Sequence, residues 1–248
     1  MLDRLRSPMN AMRGISRAQE VIANNLANID TAGFRKDRLF FHALDQKMNG
    51  KDIQSVQPKQ IVQLDEGTYT DSGNTWDFAI NGKGFFQVEH NGQYLLTRNG
   101  QFNLDADGYL IDGNGGFVQG NAGRIHLPEL LQFEDEYEEV IIDVSKDGTI
   151  HMNDLVLDKV AMVGVADPNG LERRGNSYFA AMGTGGVFRD NESVLNQGFV
   201  ETGNVNTLEE MTSMMANLQL FESQQKAMKT TDEILQQVTT RLGRFGNG

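Results

Sequence analysis

From Thr207 to Leu242 the chain contains neither proline nor glycine, and apolar residues recur along this stretch at seven-residue steps. Met214, Phe221, Met228, Leu235 and Leu242 form the stripe. Thr207-Leu208-Glu209-Glu210 reads as a capping box, in which the hydroxyl and a carboxylate satisfy free N–H groups at a helix start. The companion stripe, Met211, Leu218, Gln225, Asp232 and Thr239, turns polar halfway along. Such a helix is roughly 50 Å long at 1.5 Å per residue. It cannot bury that seam inside a small domain, so it needs a partner helix.

The other end of the chain offers one. Ser7 before Pro8 reads as a cap with proline in the first turn. Ile15, Ile22 and Ile29 then form one stripe, and Leu5, Met12, Gln19 and Leu26 another. Together they make an a/d seam. The pattern predicts a stop near Asp30-Thr31-Ala32-Gly33, with Gly33 ending the helix. Heptads do not reveal whether a partner is internal or external, but the polar decline of the companion stripe argues for more than one neighbour. Asn24, Asn25 and Asn28 fall on one side of this helix. They either fix register in the seam or face solvent near the helix end.

The middle of the chain follows a different period. Phe85-Phe86-Gln87-Val88, Tyr94-Leu95-Leu96-Thr97 and Tyr109-Leu110-Ile111 read as strands. Asn81-Gly82, Asn91-Gly92, Asn99-Gly100, Asp107-Gly108, Asp112-Gly113 and Asp147-Gly148 supply the positive φ angles of tight turns. The spacing predicts a mostly antiparallel sandwich or barrel-like domain. The fold expected is therefore α+β. Discontinuous terminal helices (1–35 and 205–248) form a coiled coil, 36–66 is an extended connector, and 67–204 is the β domain.

Composition removes several function classes. The net charge of -12 disfavours phosphate backbones and anionic lipid as partners. With no cysteine there is no thiolate catalysis and no cysteine metal site. No apolar run approaches the roughly 20 residues of a membrane span. The charged start, Met1-Leu2-Asp3-Arg4, lacks the apolar core of a secretory signal, so the expectation is a cytoplasmic chain or one exported without a cleaved signal.

Catalytic motifs are missing too. His42, His90, His126 and His151 lack metal-ligand spacing. Asp105-Ala106-Asp107-Gly108 resembles the start of a calcium loop, but the twelfth position is Gly116 instead of glutamate, leaving a hairpin turn as the reading. The run Glu134-Asp135-Glu136 with Glu138-Glu139 reads as a solvated loop, and Gly113-Asn114-Gly115-Gly116 as a turn. No residue is assigned to catalysis, a cofactor or a metal. The reading is a structural subunit that packs on copies of itself or on close relatives. The competing classes are a cell-wall hydrolase, which requires a convergent acid pair, and a carbohydrate-binding module, which requires exposed aromatics that one Trp and five Tyr supply poorly.

Three blocks carry a resemblance. Ile22-Ala23-Asn24-Asn25-Leu26-Ala27-Asn28-Ile29-Asp30-Thr31-Ala32-Gly33-Phe34-Arg35 is similar to the N-terminal signature of the flagellar rod and hook proteins. Asp77 through Val88, with Thr97-Arg98-Asn99-Gly100, resembles the start of their β domain. Gly198-Phe199-Val200-Glu201-Thr202-Gly203-Asn204-Val205-Asn206 with Glu210-Met211 resembles the entry to their C-terminal helix. The blocks stand in the family's order and span nearly the whole chain.

The resemblance implies paired helices in a coiled-coil inner tube and β domains in an outer wall. It also implies export through the flagellar type III apparatus and a place in the basal-body rod. Partners would be other copies and related rod and hook proteins, with no nucleic acid and no small-molecule substrate. The compact segment from Asp147 to Phe179 and the short ending after Leu242 look most like the proximal rod protein, with the distal one second and the hook subunit as a further alternative. Gly203 and Leu220 depart from the family pattern, where serine and arginine are common. The expected assembly interface comprises Ile15, Ile22, Asn24, Asn25, Leu26, Asn28 and Ile29 with Met211, Met214, Leu218, Phe221, Met228, Leu235 and Leu242.

Overall fold

A computed structural model describes residues 2–48, 51–127, 141–153, 155–175, 177–182 and 186–245. The chain divides into two units. The first comprises 1–27, 37–60 and 206–248, the second 28–36 and 61–205.

In the first unit α1 (Leu2–Ala27) packs on α2 (Thr207–Phe245). β1 (Asp37–Met48) pairs with β2 (Lys51–Val62). The stretch expected as an extended connector is thus a two-stranded ribbon, formed without a sustained alternating pattern. Helix α1 starts at Leu2, so Ser7 and Pro8 lie inside it and not at its cap. Leu2, Arg4, Leu5 and Arg6 are good helix formers and extend it past the proline.

Helix α2 is capped one residue earlier than the sequence pattern indicates. The Asn206 side-chain oxygen accepts from the N–H groups of Leu208 at 3.0 Å and Glu209 at 3.2 Å. Asn206 is the cap and Thr207 the first helical residue, because asparagine suits that position at least as well as threonine. Gly33 also has a different role from the one expected. Helix α1 ends at Ala27, and Gly33, at φ +66°, donates its N–H to the Glu201 carbonyl at 2.7 Å. A Cβ there would lie 2.3 Å from the Arg98 carbonyl carbon, so close backbone approach requires the glycine.

The second unit is the β domain. It begins with β3 (Tyr69–Asp71), β4 (Phe78–Asn81), β5 (Phe85–His90), β6 (Gln93–Thr97), β7 (Phe102–Leu104), β8 (Leu110–Asp112) and β9 (Phe117–Val118). It continues with β10 (Ile142–Val144), β11 (Thr149–Met152), β12 (Leu155–Lys159), β13 (Met162–Val165), β14 (Leu171–Arg173), β15 (Tyr178–Ala181), β16 (Val187–Arg189), β17 (Val194–Gln197) and β18 (Phe199–Glu201). Among the described residues the largest sheet runs β14-β15-β6-β5-β9-β8-β7, with β13 pairing β5 and β16. Smaller sheets are β10-β11-β12, β17-β4 and β18-β3, and every recorded pairing in this unit is antiparallel. The β5–β6 turn is the hairpin that the sequence signals, with Asn91 at φ 52° and Gly92 at φ 74°.

Consecutive apolar residues serve opposite faces of the main sheet. Phe86 and Leu95 join one core with Phe78, Phe102 and Leu110, where Phe86 and Phe102 meet edge to face at 5.1 Å. Phe85 and Leu96 join a second cluster with Val163, Leu171 and Phe179. The double apolar runs therefore reflect a sheet covered on both faces.

Candidate assembly surface

The intrachain seam uses one stripe of each helix. On α1, Ile15 is buried and Met12, Gln19, Ile22 and Leu26 are half-buried. On α2, Glu210 is buried and Met214, Asn217, Phe221, Gln224 and Met228 are half-buried. The side chains of Leu235 and Leu242 lie outside the described residues. Met211 and Leu218, expected as the companion stripe, are not in this seam: they are 48 % and 41 % exposed. The amides Asn217 and Gln224 occupy the companion positions instead.

Polar contacts fix this choice of register. Asn25, 1 % exposed, accepts from the Asp37 N–H at 2.9 Å and donates to the Asp37 carbonyl at 3.0 Å. Its amide pairs with one strand residue as a neighbouring strand would. Its Nδ2 also donates to Glu210 Oε2 at 3.3 Å, and Gln60 donates to Asp37 Oδ2 at 2.8 Å. Placing Glu210 beside Asn25 turns Asn217 and Gln224 inward and Met211 outward. Asn24 is exposed, whereas Asn28 is buried in the turn after α1, where its carbonyl accepts from Thr31 at 3.1 Å. Ile29, half-buried, also lies past the helix end.

An apolar surface is left on α2. Leu208, Met211, Met215 and Leu218 are exposed, at 77 % for Leu208 and 56 % for Met215. At 100° per residue this line lies about 120° round the helix from the centre of the buried seam. Leu220 and Ile234, also exposed, lie on the opposite flank. Surface helices normally place polar residues at such positions.

In the β unit, a cluster of charges has no surface at all. Arg35 Nη2 donates to Glu201 Oε1 at 2.6 Å, with both side chains 0 % exposed. Arg98 lies 3.6 Å from Glu201 Oε2, donates to the carbonyls of Ile80 and Gly82, and stands 5.3 Å over the Phe85 ring. Burial lowers the Arg98 guanidinium's pKa and Glu201 opposes the shift. Tyr69 donates to Glu66, and burial together with that carboxylate raises its phenol pKa above the usual value. Sequence reasoning missed this cluster. Its only signal was that Arg35, Arg98 and Glu201 each stand in one of the three family-like blocks.

Elsewhere the unit's polar side chains serve its turns. Asp105 Oδ1 accepts from the N–H groups of Asp107 and Tyr109, which makes 105–108 the hairpin turn expected between β7 and β8. A notch of about 160 Å³ is lined by Asp147, Lys159, Arg189, Asp190 and Ser193 among others, with no histidine. Ser193 donates to Asp190 and accepts from the Gly84 N–H, so its hydroxyl is committed to the loop. Among the described residues no His, Cys, Asp and Glu group has the form of a metal site, and no helix is long and apolar enough to cross a membrane. The acidic run from Glu134 to Glu139 lies outside the described residues.

Comparison with known proteins matches the three blocks in order. Residues 5–35 match the flagella basal body rod protein family, 79–152 the flagellar hook protein FlgE/F/G D1 domain, and 196–242 the flagellar basal body rod FlgEFG protein C-terminal region. The flagellar basal-body rod protein FlgG of Bacillus subtilis is 30 % identical over 96 % of this chain and 98 % of its own length. The chain belongs to the flagellar basal-body rod protein family. FlgF of Caulobacter vibrioides is 26 % identical over 93 % of the chain and 94 % of its own length. FlgG of Buchnera aphidicola (subsp. Acyrthosiphon pisum) is 28 % identical over 88 % of the chain. Relatives bearing both names thus cover almost all of this rod-family chain, its helices and its β domain alike.

Proposed function

We propose that the chain is a structural subunit of the bacterial flagellar basal-body rod, that it assembles with copies of itself and with related rod and hook proteins, and that it transmits torque without catalysing a reaction. The observation that carries this is the exposed Leu208–Met211–Met215–Leu218 line on α2. At 1.5 Å per residue α2 is about 58 Å long and α1 about 39 Å. The shorter helix cannot cover the longer one, and a second apolar line remains beside the first. Long helices with more than one apolar stripe suit a bundle built from several subunits, in which the α1–α2 pair acts as a coiled-coil segment.

Of the expected set, Met211 and Leu218 turn toward neighbouring subunits, whereas Ile15, Ile22, Leu26, Met214, Phe221 and Met228 hold the pair itself and the Asn25 amide is committed within the subunit. Among rod subunits the reading is a proximal one, carried by the span from β11 to β15, whose short connections leave no room for an inserted domain. As a rod subunit the chain reaches the periplasmic rod through the flagellar export apparatus, uncleaved. Mass spectrometry of purified basal bodies tests the proposal: the chain should be a stoichiometric component. Its presence only in the cytoplasm of flagellated cells would refute it.

A further inference from the structure

The segments that carry the chain into and out of the β unit meet at one side chain. The chain passes between the two units after residues 27, 36, 60 and 205. Asn204 stands just inside the last crossing. Its Oδ1 accepts from the Lys36 N–H at 2.7 Å, and its Nδ2 donates to the carbonyls of Gln63 at 3.1 Å and Asp65 at 2.9 Å. A single amide thus holds three segments, each adjoining a crossing. The orientation is unambiguous, since only the oxygen can accept from Lys36 and only the nitrogen can donate to two carbonyls.

Backbone bonds run alongside: Asn204 N–H to Phe34 at 3.2 Å, Gln63 N–H to Lys36 at 2.9 Å and Gly33 N–H to Glu201 at 2.7 Å. Behind them Glu201 Oε1 accepts from both Arg35 and the Gly67 N–H at 2.8 Å. Gly67 and Gly203 allow the close approach. A Cβ on Gly67 would lie 1.9 Å from the Thr202 oxygen, whereas one on Gly203 would find its nearest neighbour at 3.3 Å. The room at Gly203 is nearly enough for a small side chain.

We propose that Asn204, backed by the Arg35–Glu201 pair, is the mechanical coupling of the subunit. Tension entering along α2 reaches the β unit at Val205. Without Asn204 it would peel residues 201–205 away one bond at a time. With it, the segments at 34–36 and 63–65 must yield together, so several bonds are loaded at once. The use of this coupling, carrying torque from helices to sheet, rests on the rod reading. The mechanical property belongs to the isolated chain.

The chain has no cysteine, so handles can be placed freely. Ser213→Cys on α2 and Gln93→Cys on β6 are both at exposed positions. Single-molecule pulling between them, on the full chain, tests the proposal. Asn204→Asp keeps the bond to Lys36 and sets an oxygen against two carbonyls. Asn204→Ala removes all three bonds without adding repulsion, and serves as the readout if the aspartate variant does not fold. Each should reduce the force of the first rupture by roughly half and leave the later rupture of the main sheet unchanged. An unchanged first rupture in a folded variant overturns the coupling. So does an equal fall in both events, which would mark Asn204 as a contributor to general stability only. Absence of the chain from basal bodies would refute the rod reading and leave the pulling result standing.

Discussion

Replacing Glu201 by glutamine should destabilise the β unit far more than so small a change in shape implies. Glu201 and Arg35 are each 0 % exposed and 2.6 Å apart, and Arg98, also buried, faces the second carboxylate oxygen at 3.6 Å. Glutamine leaves two guanidinium groups in the interior without their nearest counter-charge. Removing one partner of a buried pair costs about 3–5 kcal/mol. For a unit of roughly 150 residues each kcal/mol shifts the melting temperature by about 2–4 °C. The expected fall is therefore roughly 6–20 °C, read by thermal denaturation of the purified chain followed on its β-sheet signal. The double variant Arg35→Met with Glu201→Met should fall less, because only Arg98 then loses its nearest counter-charge and it keeps its carbonyl partners Ile80 and Gly82. A melting temperature for Glu201→Gln within about 3 °C of the parent would refute the reasoning, since it would mean the pair contributes less than about 1 kcal/mol.

Other expectations follow from single contacts. Gly100→Ala would place a Cβ 1.7 Å from the Phe78 oxygen and 3.0 Å from the Phe86 ring, so urea denaturation should show a loss of about 3 kcal/mol or more. Asn206→Ala should cost about 1 kcal/mol and speed amide exchange at Leu208 and Glu209, while Thr207→Ala should cost clearly less. Asp147 is held at about 2 by hydrogen bonds from Lys159 and Thr149, so its contribution is complete above its unfolded value and is lost as pH falls toward 2. Lys159→Ala should therefore flatten the loss of stability between pH 4 and pH 2, by under about 1 kcal/mol because the pair is largely exposed, and an unchanged slope would count against the pairing.

Local chemistry was legible in the sequence wherever it acts through near neighbours. The Asn91-Gly92 hairpin, the strands beginning at Phe85 and near Tyr94, and the long helix α2 depend on turn residues and period, and all are present. The stripes Ile15–Ile22 and Met214–Phe221–Met228 point into the helix pair for the same reason. The companion stripe was misplaced because two patterns one residue apart both fit a heptad, and apolarity favoured Met211 and Leu218. The choice between them rests on Asn25 and Glu210, which are 185 residues apart in sequence.

Arg35 and Glu201, 166 residues apart, likewise carry no local sign of their pairing, since a charged residue looks like surface until its partner is found. The β1–β2 ribbon has no alternation to announce it. Gly33 looked like a helix terminator because a glycine after a helix usually is one, and nothing local reveals the strand of backbone that lies against it. Asn204, the residue on which three segments converge, carries no signal of its own beyond its place in the Thr202-Gly203-Asn204 block.

The most direct test of assembly through α2 is incorporation of Met215→Asp with Leu218→Asp. Both side chains are exposed, so the substitutions should leave melting of the purified chain within about 2 °C of the parent, as surface changes usually do. In the rod, two carboxylates buried against a neighbouring subunit would carry a desolvation cost of several kcal/mol each. The expected result is a variant that is made and folds, is missing from purified basal bodies, and leaves the cells unable to swim. Normal incorporation with normal swimming would contradict the account, because it would show that the exposed line on α2 packs against nothing.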